Sequence, residues 1–443
     1  MLIPEKVNYI IKKLTESGYE AFAVGGCVRD TLLNVLPKDW DITTSAEPFE
    51  IKKIFRKTID TGIKHGTVTV MLQGEGFEIT TYRIDGEYQN NRKPKNVEFT
   101  SSLIEDLKRR DFTINAMAYN ATIGLVDEFN GIKDLEDRVI RCVGNPNDRF
   151  EEDALRMLRA LRFSAQLGFD IEENTKAAIK NNAELLRNIS AERVQVELTK
   201  LITSNNPGTI MLAYELGITN IVLPEFDKCV ITPQLNKHHI YNVGQHSIVA
   251  MENIPNNHIL RWTMLLHDIA KPVTKTTDSN GVEHFYGHPV KGENLALKIL
   301  KRLKFDSNTI DRVTRLIRHH DDKININNKS IRKSVSKVGV DIFEDLLLVQ
   351  KADALAKNPL MNKKRLFEIS EIEKKYHEIV SENQCLTIKQ LAINGKDLLD
   401  LGIPQGKRVG EILSSLLDQV LDNPEQNDRE ILINIVKAIN RQS

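Results

Sequence analysis

The stretch AVGGCVRDTLLNVLPKDWDITT, residues 23–44, decides the fold of the N-terminal part of the chain. The apolar run YEAFAV, residues 19–24, reads as a short strand ending in Gly25-Gly26, and a helix from about Val28 to Asn34 starts at once. Backbone free of side chains lets a triphosphate approach closely at such a turn, and the amides that open a helix favour anions. Arg29 sits one turn in, where a guanidinium can clamp phosphate oxygens in pairs. Asp39 and Asp41 follow. If residues 39–43 form a strand, side chains two apart share a face, and two such carboxylates can hold the hard Mg²⁺ ions that phosphoryl transfer needs. A GG pair alone is usually a turn, and a lone DxD is more often a solvated loop. The ordered combination strand–GG–xxRD–helix–DxD is far more specific.

Outward from this stretch, residues 4–17 have helical periodicity and stop at Gly18. Ile42, Val68 to Leu72 and Phe77 to Tyr82 alternate or run apolar in strand fashion, with turns at Gly66 and Gly74–Gly76. The first ~140 residues therefore read as a mixed α/β domain. After about Asn147 strand-like segments almost vanish and helical runs continue to the end, broken near residues 205–208, 223–224 and 278–281. We divide the chain at 1–145, 146–222, 223–385 and 386–443. That many domains suits 443 residues with 41% apolar content, since single cores rarely grow past about 250–300 residues. Lys+Arg and Asp+Glu both number 61, so any attraction to nucleic acid must come from local basic patches. Cys27, Cys142, Cys229 and Cys385 lie too far apart for a zinc ribbon or a disulfide framework, and fit a reducing compartment. The N-terminus lacks the features of a signal peptide and no run reaches the roughly 18 apolar residues of a membrane span. These features point to a cytoplasmic protein with no membrane partner.

Two further runs carry chemistry. In KRRDFTINAMAYN, residues 108–120, Lys108, Arg109, Arg110 and Asp111 precede what reads as an apolar helix containing Asn115. The plain reading is a solvated charge run with Asp111 as N-cap. The functional one places Arg110 on the triphosphate, with Asn115 ordering the loop. In EEDALRMLRALRF, residues 151–163, Asp153, Arg156, Arg159 and Arg162 recur every three residues, a slowly turning polar stripe on one helix with Leu155, Leu158 and Leu161 opposite. The plain alternative is a solvated helix with an Asp153–Arg156 pair. On their Watson–Crick edges cytosine and adenine each set an amino donor beside a ring-nitrogen acceptor, whereas uracil and guanine present the reverse. A carboxylate accepts from the amino group and a guanidinium donates to the ring nitrogen. Asp153 with Arg156 could thus accept C and A and leave unpaired groups with U and G.

These motifs together resemble the polymerase-β-like nucleotidyltransferase head and neck of class II CCA-adding enzymes and bacterial poly(A) polymerases. The resemblance implies Gly26 and Arg29 as nucleotide contacts and Asp39 and Asp41 as metal ligands and catalytic groups; Glu78 in EITTYR could be a third carboxylate near the metals, its plain reading being an exposed strand residue. It assigns the base-reading role to Asp153 and Arg156, with Arg159 and Arg162 toward the nucleotide. The segment GIKDL, residues 131–135, follows as in that family. Residues 85–99 correspond to the flexible element needed for the switch from C to A addition, with Asn90 where the family often has Asp. The tail, residues 396–417, would contact the tRNA elbow.

His246, His267-Asp268, Gly287-His288, His319-His320 and Asp353 run through helical sequence in an order that resembles the HD phosphohydrolase superfamily. That resemblance implies a ligand set of His246, His267, Asp268 and Asp353, with His288 and His320 for a second ion. Imidazole and carboxylate suit a divalent transition metal. The expected fold class is an α/β polymerase-β-like head, an all-α neck, an HD-type helical domain and a helical tail. The expected activity is addition of C, C and A to the tRNA 3′ end from CTP and ATP with Mg²⁺. Poly(A) polymerase and an A-only adding enzyme keep every one of these motifs. An RNA-binding HD metal phosphohydrolase is the alternative from a different class.

Overall fold

Val7, Ile10, Ile11 and Leu14 recur at helical spacing and bury one face of the helix Glu5–Glu16. The next apolar run is too short for a helix and becomes β1 (Ala21–Val24), buried at every position. In a computed structural model, which describes residues 1–86, 88, 89, 91, 93–234 and 239–441, the chain forms two compact units, Met1–Pro224 and Glu225–Ser443.

The first unit is built on a mixed seven-stranded sheet. Its further strands are β2 (Ile42–Thr44), β3 (Thr58–Gly62), β4 (Thr67–Leu72), β5 (Glu75–Thr81), β6 (Ala118–Asn120) and β7 (Gly124–Val126), in the order β7-β6-β1-β2-β5-β4-β3. β2 runs parallel to β5 and antiparallel to β1. Phe22, Val24, Tyr82, Leu103, Leu107 and Ala118 form a core against one face of this sheet. Beyond residue 145 the unit is helical, with Pro146–Glu152, Leu155–Leu167, Glu173–Asn182 and Ala191–Ile202.

Several expectations shift here. The strand expected over residues 39–43 begins only at Ile42, so Asp39 and Asp41 lie on the extended approach to β2. The helix expected from Val28 runs Gly26–Leu32, opened by Gly25 at φ 80°. The apolar helix expected around Asn115 is a single 3₁₀ turn, Thr113–Asn115, leading into β6. Its β-branched residues are poor helix formers, and Asn115 is held by side-chain bonds rather than by a helical ladder. The helix expected through residues 151–163 is two helices, because Asp153 adopts extended backbone (φ −135°, ψ 101°). Asn90 lies outside the described residues.

The second unit is almost wholly helical. Val243–Glu252, His258–Leu266, His288–Arg302, Ser307–His319 and Phe343–Leu355 enclose a core that includes Trp262, packed edge-on to Phe305 at 5.1 Å. The small hairpin Thr276–Thr277/Glu283–His284 projects beside them. The C-terminal helices are tied in by Arg332, whose Nε donates to Leu421 O at 2.8 Å and whose Nη1 donates to Gln384 Oε1 at 3.0 Å. Among the described residues no helix is long and apolar enough to cross a membrane.

Candidate active site

The turn at Gly25 is fixed by two constraints. Its φ is in the left-handed region, and a Cβ there would stand 2.9 Å from Arg110 Nη1. Gly26 has no such crowding; its nearest foreign atom is Arg29 Nη2 at 3.8 Å. The glycine pair thus brings Arg110 against the turn, two segments far apart in sequence. Arg110 Nη2 lies 3.5 Å from Asp106 Oδ2, while its buried Nε has no hydrogen-bond partner among the described residues.

Arg29 is buried. Its guanidinium donates to Asp30 Oδ1 at 2.6 and 2.9 Å, and Nη1 donates to Asn115 Oδ1 at 2.6 Å. From Asn115 the chain of bonds continues: Nδ2 donates to Asp111 Oδ1 at 3.1 Å, and Asp111 Oδ2 accepts from Arg159 at 2.6 and 2.7 Å. Burial opposes ionisation of Asp111, but Arg159 and the Asn115 amide outweigh it and hold its pKa at about 2. Asp111 caps no helix; Oδ1 instead accepts from Phe112 N at 2.9 Å. The bonded chain joins the glycine-turn helix to the helix Leu155–Leu167.

On that second helix, Arg162 pairs with Glu197 at 2.8 and 3.0 Å. Burial, then repulsion from Arg159, pushes the Arg162 pKa down to about 10. Arg156 Nη1 pairs with Glu152 at 2.6 Å and its Nη2 donates to Arg109 O at 2.8 Å. Asp153 accepts from Leu155 N at 3.1 Å and pairs with Arg193 at 2.7 and 3.3 Å. The pair Asp153–Arg156 considered from the sequence is therefore absent, because the extended backbone at Asp153 takes its carboxylate off the helix to Arg193. Asn91 meets the same bend: its Nδ2 donates to Glu151 O at 2.6 Å, and its carbonyl accepts from Ala154 N at 3.0 Å.

Asp39 and Asp41 are exposed just before the start of β2, an inner strand of the sheet. Partial burial, with Asp39 as a like charge, raises the Asp41 pKa while Arg110 opposes the rise. Glu78 is an exposed residue of β5. The β2–β5 register pairs Ile42 with Ile79 and Thr43 with Thr80, so one step back along it sets Glu78 beside Asp41. Asp39, Asp41 and Glu78 do not close to within 4.8 Å of one another, unlike the two sets in the second unit. Carboxylate oxygens are nonetheless the hard donors that Mg²⁺ takes.

In the second unit, His246, His267 and Asp268 form one group and Asp268, His288 and His320 a second, each with ligand atoms within 4.8 Å of one another. Asp353 Oδ1 lies 3.0 Å from His246 Nε2. Each histidine places Nδ1 against a backbone carbonyl: Ala356 at 3.2 Å, Met264 at 2.7 Å, Phe285 at 2.8 Å and Ile317 at 2.7 Å. These bonds turn the four Nε2 atoms toward Asp268 and Asp353. His267 Nε2 and Asp268 Oδ1 are buried with no hydrogen-bond partner among the described residues, as donors awaiting an ion would be. Burial opposes ionisation of Asp268, but His267 and Lys271 hold it well below the usual carboxylate range. Lys357, 2.5 Å away, does the same for Asp353. The residues fit a divalent metal centre. It opens on a cavity of ≈ 1440 Å³ whose wall includes Lys323, Lys357, Lys364 and Arg365.

Sequence reasoning passed over Lys271, Lys357, His239, Arg193 and Glu197. Lys271 three residues after Asp268, and Lys357 four after Asp353, are helical spacings that could have been found. His239, edge-on to His246 at 5.1 Å, and Arg193 reach their sites only through tertiary structure.

Three family models match the chain: the poly A polymerase head domain over residues 21–141, the probable RNA and SrmB-binding site of polymerase A over 168–230, and the HD domain over 237–358. The CCA-adding enzyme of Ligilactobacillus salivarius is 37% identical over 98% of this chain and 96% of its own length. That of Levilactobacillus brevis is 35% identical over 97% and 96%. The crystal structure of the Bacillus stearothermophilus CCA-adding enzyme in complex with CTP superposes with a TM-score of 0.75 at 29% identity, covering 100% of this chain and 99% of that one. With its polymerase-type head, its helical arginine ladder and near end-to-end similarity to these relatives, the chain belongs to the CCA-adding enzyme family of nucleotidyltransferases.

Proposed function

We propose that the protein adds C, C and A to the 3′ end of tRNA from CTP and ATP, in the cytoplasm and without a nucleic-acid template. The observation that carries this reading is the bonded chain Arg29–Asn115–Asp111–Arg159, which ties a phosphate-type glycine turn to an arginine ladder suited to reading a base. Asp39 and Asp41 would hold Mg²⁺ and are the catalytic pair, with Glu78 beside them. Bound there, the ions supply activation of the attacking 3′-hydroxyl and neutralisation of the leaving pyrophosphate. Gly26, Arg29 and Arg110 bind the triphosphate. Asp153 accepts the exocyclic amino group and Arg156 donates to the ring nitrogen of C or A, exchanging their bonds to Arg193 and Glu152 for the base edge. Residues 1–145 act as head, 146–222 as neck, 223–385 as the HD-type domain and 386–443 as a tail on the tRNA elbow.

The test is incubation of purified protein with tRNA lacking its CCA end, with CTP and ATP supplied singly and together. C incorporated first, then one A, supports the reading. A alone added to ends already carrying CC selects an A-adding enzyme, and long A tails select a poly(A) polymerase.

The histidine–aspartate centre supports a second activity, hydrolysis of phosphate esters at RNA ends. His246, His267, Asp268 and Asp353 would hold a divalent transition metal, with His288 and His320 for a second. The metal supplies a water acidic enough to attack phosphorus. Opening of a 2′,3′-cyclic phosphate to a monoester, or release of phosphate from a 2′-phosphorylated RNA end, dependent on Mn²⁺ or Ni²⁺, tests it.

A further inference from the structure

Phe163 is used by nothing described so far, yet three guanidiniums converge on it. Arg162 lies over its ring at 4.1 Å from the centroid, Arg29 at 4.9 Å and Arg159 at 5.3 Å. The ring is only 6% exposed, and Phe112 meets it edge-on at 5.8 Å with an interplanar angle of 83°, which fixes its tilt. Each of the three arginines has its own carboxylate: Asp30, Asp111 and Glu197. The described contacts include no acid shared among them. The one group they have in common is the electron-rich face of Phe163, which attracts cations without forming a directional bond.

We infer that Phe163 is a positioning residue for the nucleotide: its ring face sets the spacing of Arg29, Arg159 and Arg162 and so couples the grip on the triphosphate to the reading of the base. A leucine of similar bulk would fill the space and leave three cations repelling one another at short range. A carboxylate in its place would bind them too tightly to be released to a polyanionic ligand. An aromatic ring holds cations at a cost small enough to be exchanged when phosphate arrives, since each such contact is worth about 0.5–2 kcal/mol depending on desolvation. This inference rests on the reading of Arg29 as a phosphate contact and of Arg159 as a contact on the base side.

The test replaces Phe163 with phenylalanines carrying one to five ring fluorines, which drain the negative face while nearly preserving shape. KM and kcat are measured for CTP on tRNA lacking its CCA end and for ATP on tRNA ending in CC, with UTP as competitor. KM for both nucleotides is expected to rise stepwise, by about tenfold at five fluorines, with kcat changing less and UTP rejection weakening in parallel. Phe163→Leu should match or exceed the fully fluorinated protein; if it does not fold, the fluorine series still decides. A series flat in KM whose melting temperature alone moves makes Phe163 ordinary core packing and overturns the inference. Arg29→Ala and Arg159→Ala are run beside it. If they lower nucleotide affinity while the fluorine series is flat, only the ring's role falls. If neither alters affinity, the nucleotide reading beneath it falls as well.

Discussion

Asp41 and Asp111 are two acids in one domain that the fold treats in opposite ways. Asp41 is exposed, with its pKa raised by partial burial and by Asp39, as suits a ligand that gains its counter-charge only when a cation arrives. Asp41→Asn is expected to lower CTP incorporation by more than about a thousandfold, because one hard ligand is lost from the proposed Mg²⁺ site. Filter binding should show tRNA affinity unchanged. Asp111 is a permanent structural anion. Its folded pKa of about 2 lies below the ordinary 3.8, so its contribution is fully present above about pH 4 and disappears as pH falls toward 2. The shift corresponds to about 2 kcal/mol. Urea melts between pH 5 and 2 should show that loss, and Asp111→Asn should flatten the curve in that window. At this scale the sequence was legible where spacing alone defines the chemistry: glycines, Arg29, DxD and RRD stand out unaided. What could not be read is the partner of Asp111, because Arg159, 48 positions along the chain, supplies it.

Periodicity located the helix Glu5–Glu16 and the strands β1, β2, β4 and β5 of the head, since burial on one face is what both the pattern and the fold record, but it passed over β3, β6, β7 and the helices Pro48–Ile54 and Leu103–Lys108. It failed where side-chain bonds override the backbone's preference. Asn115 sits in a 3₁₀ turn because Arg29 and Asp111 engage both ends of its amide. Asp153 breaks a ladder that looks continuous, because Arg193 from the helix Ala191–Ile202 draws its carboxylate away. On the proposed reading, an acid held outside the helical array can be swung onto a base without unwinding a turn. Asp153→Ala is expected to weaken rejection of UTP relative to CTP by about tenfold or more, as one hydrogen-bonding group is lost from the reading site. Unchanged discrimination in competition assays would remove Asp153 from that role. Arg193→Ala should instead disturb discrimination only modestly, because Asp153 keeps its own contact with Leu155 N.

Over the whole molecule the formal charge is zero, so tRNA must be gripped by local arrays of Lys and Arg. With about six to ten phosphates contacted, affinity should fall by about a thousandfold or more between 50 and 200 mM salt, measurable by titration at several salt concentrations. The two compact units carry chemically separate centres. Asp268→Asn is expected to abolish metal-dependent phosphate release while CTP and ATP incorporation persists. It should also lower the stability of the second unit by about 3–5 kcal/mol, since Lys271 is left buried without its counter-charge. The order of histidines and aspartates announced this centre in the sequence. The lysines that neutralise its acids stand one helical turn from them, a spacing the sequence also carries.

The four carbonyl anchors of His246, His267, His288 and His320 bear on how this centre matures. Their rings are already immobilised, so the conformational entropy that a zinc finger loses on coordination has here been lost during folding itself. Chelator treatment should therefore leave an intact apoprotein with an unaltered circular dichroism spectrum, ready to be reloaded within the mixing time.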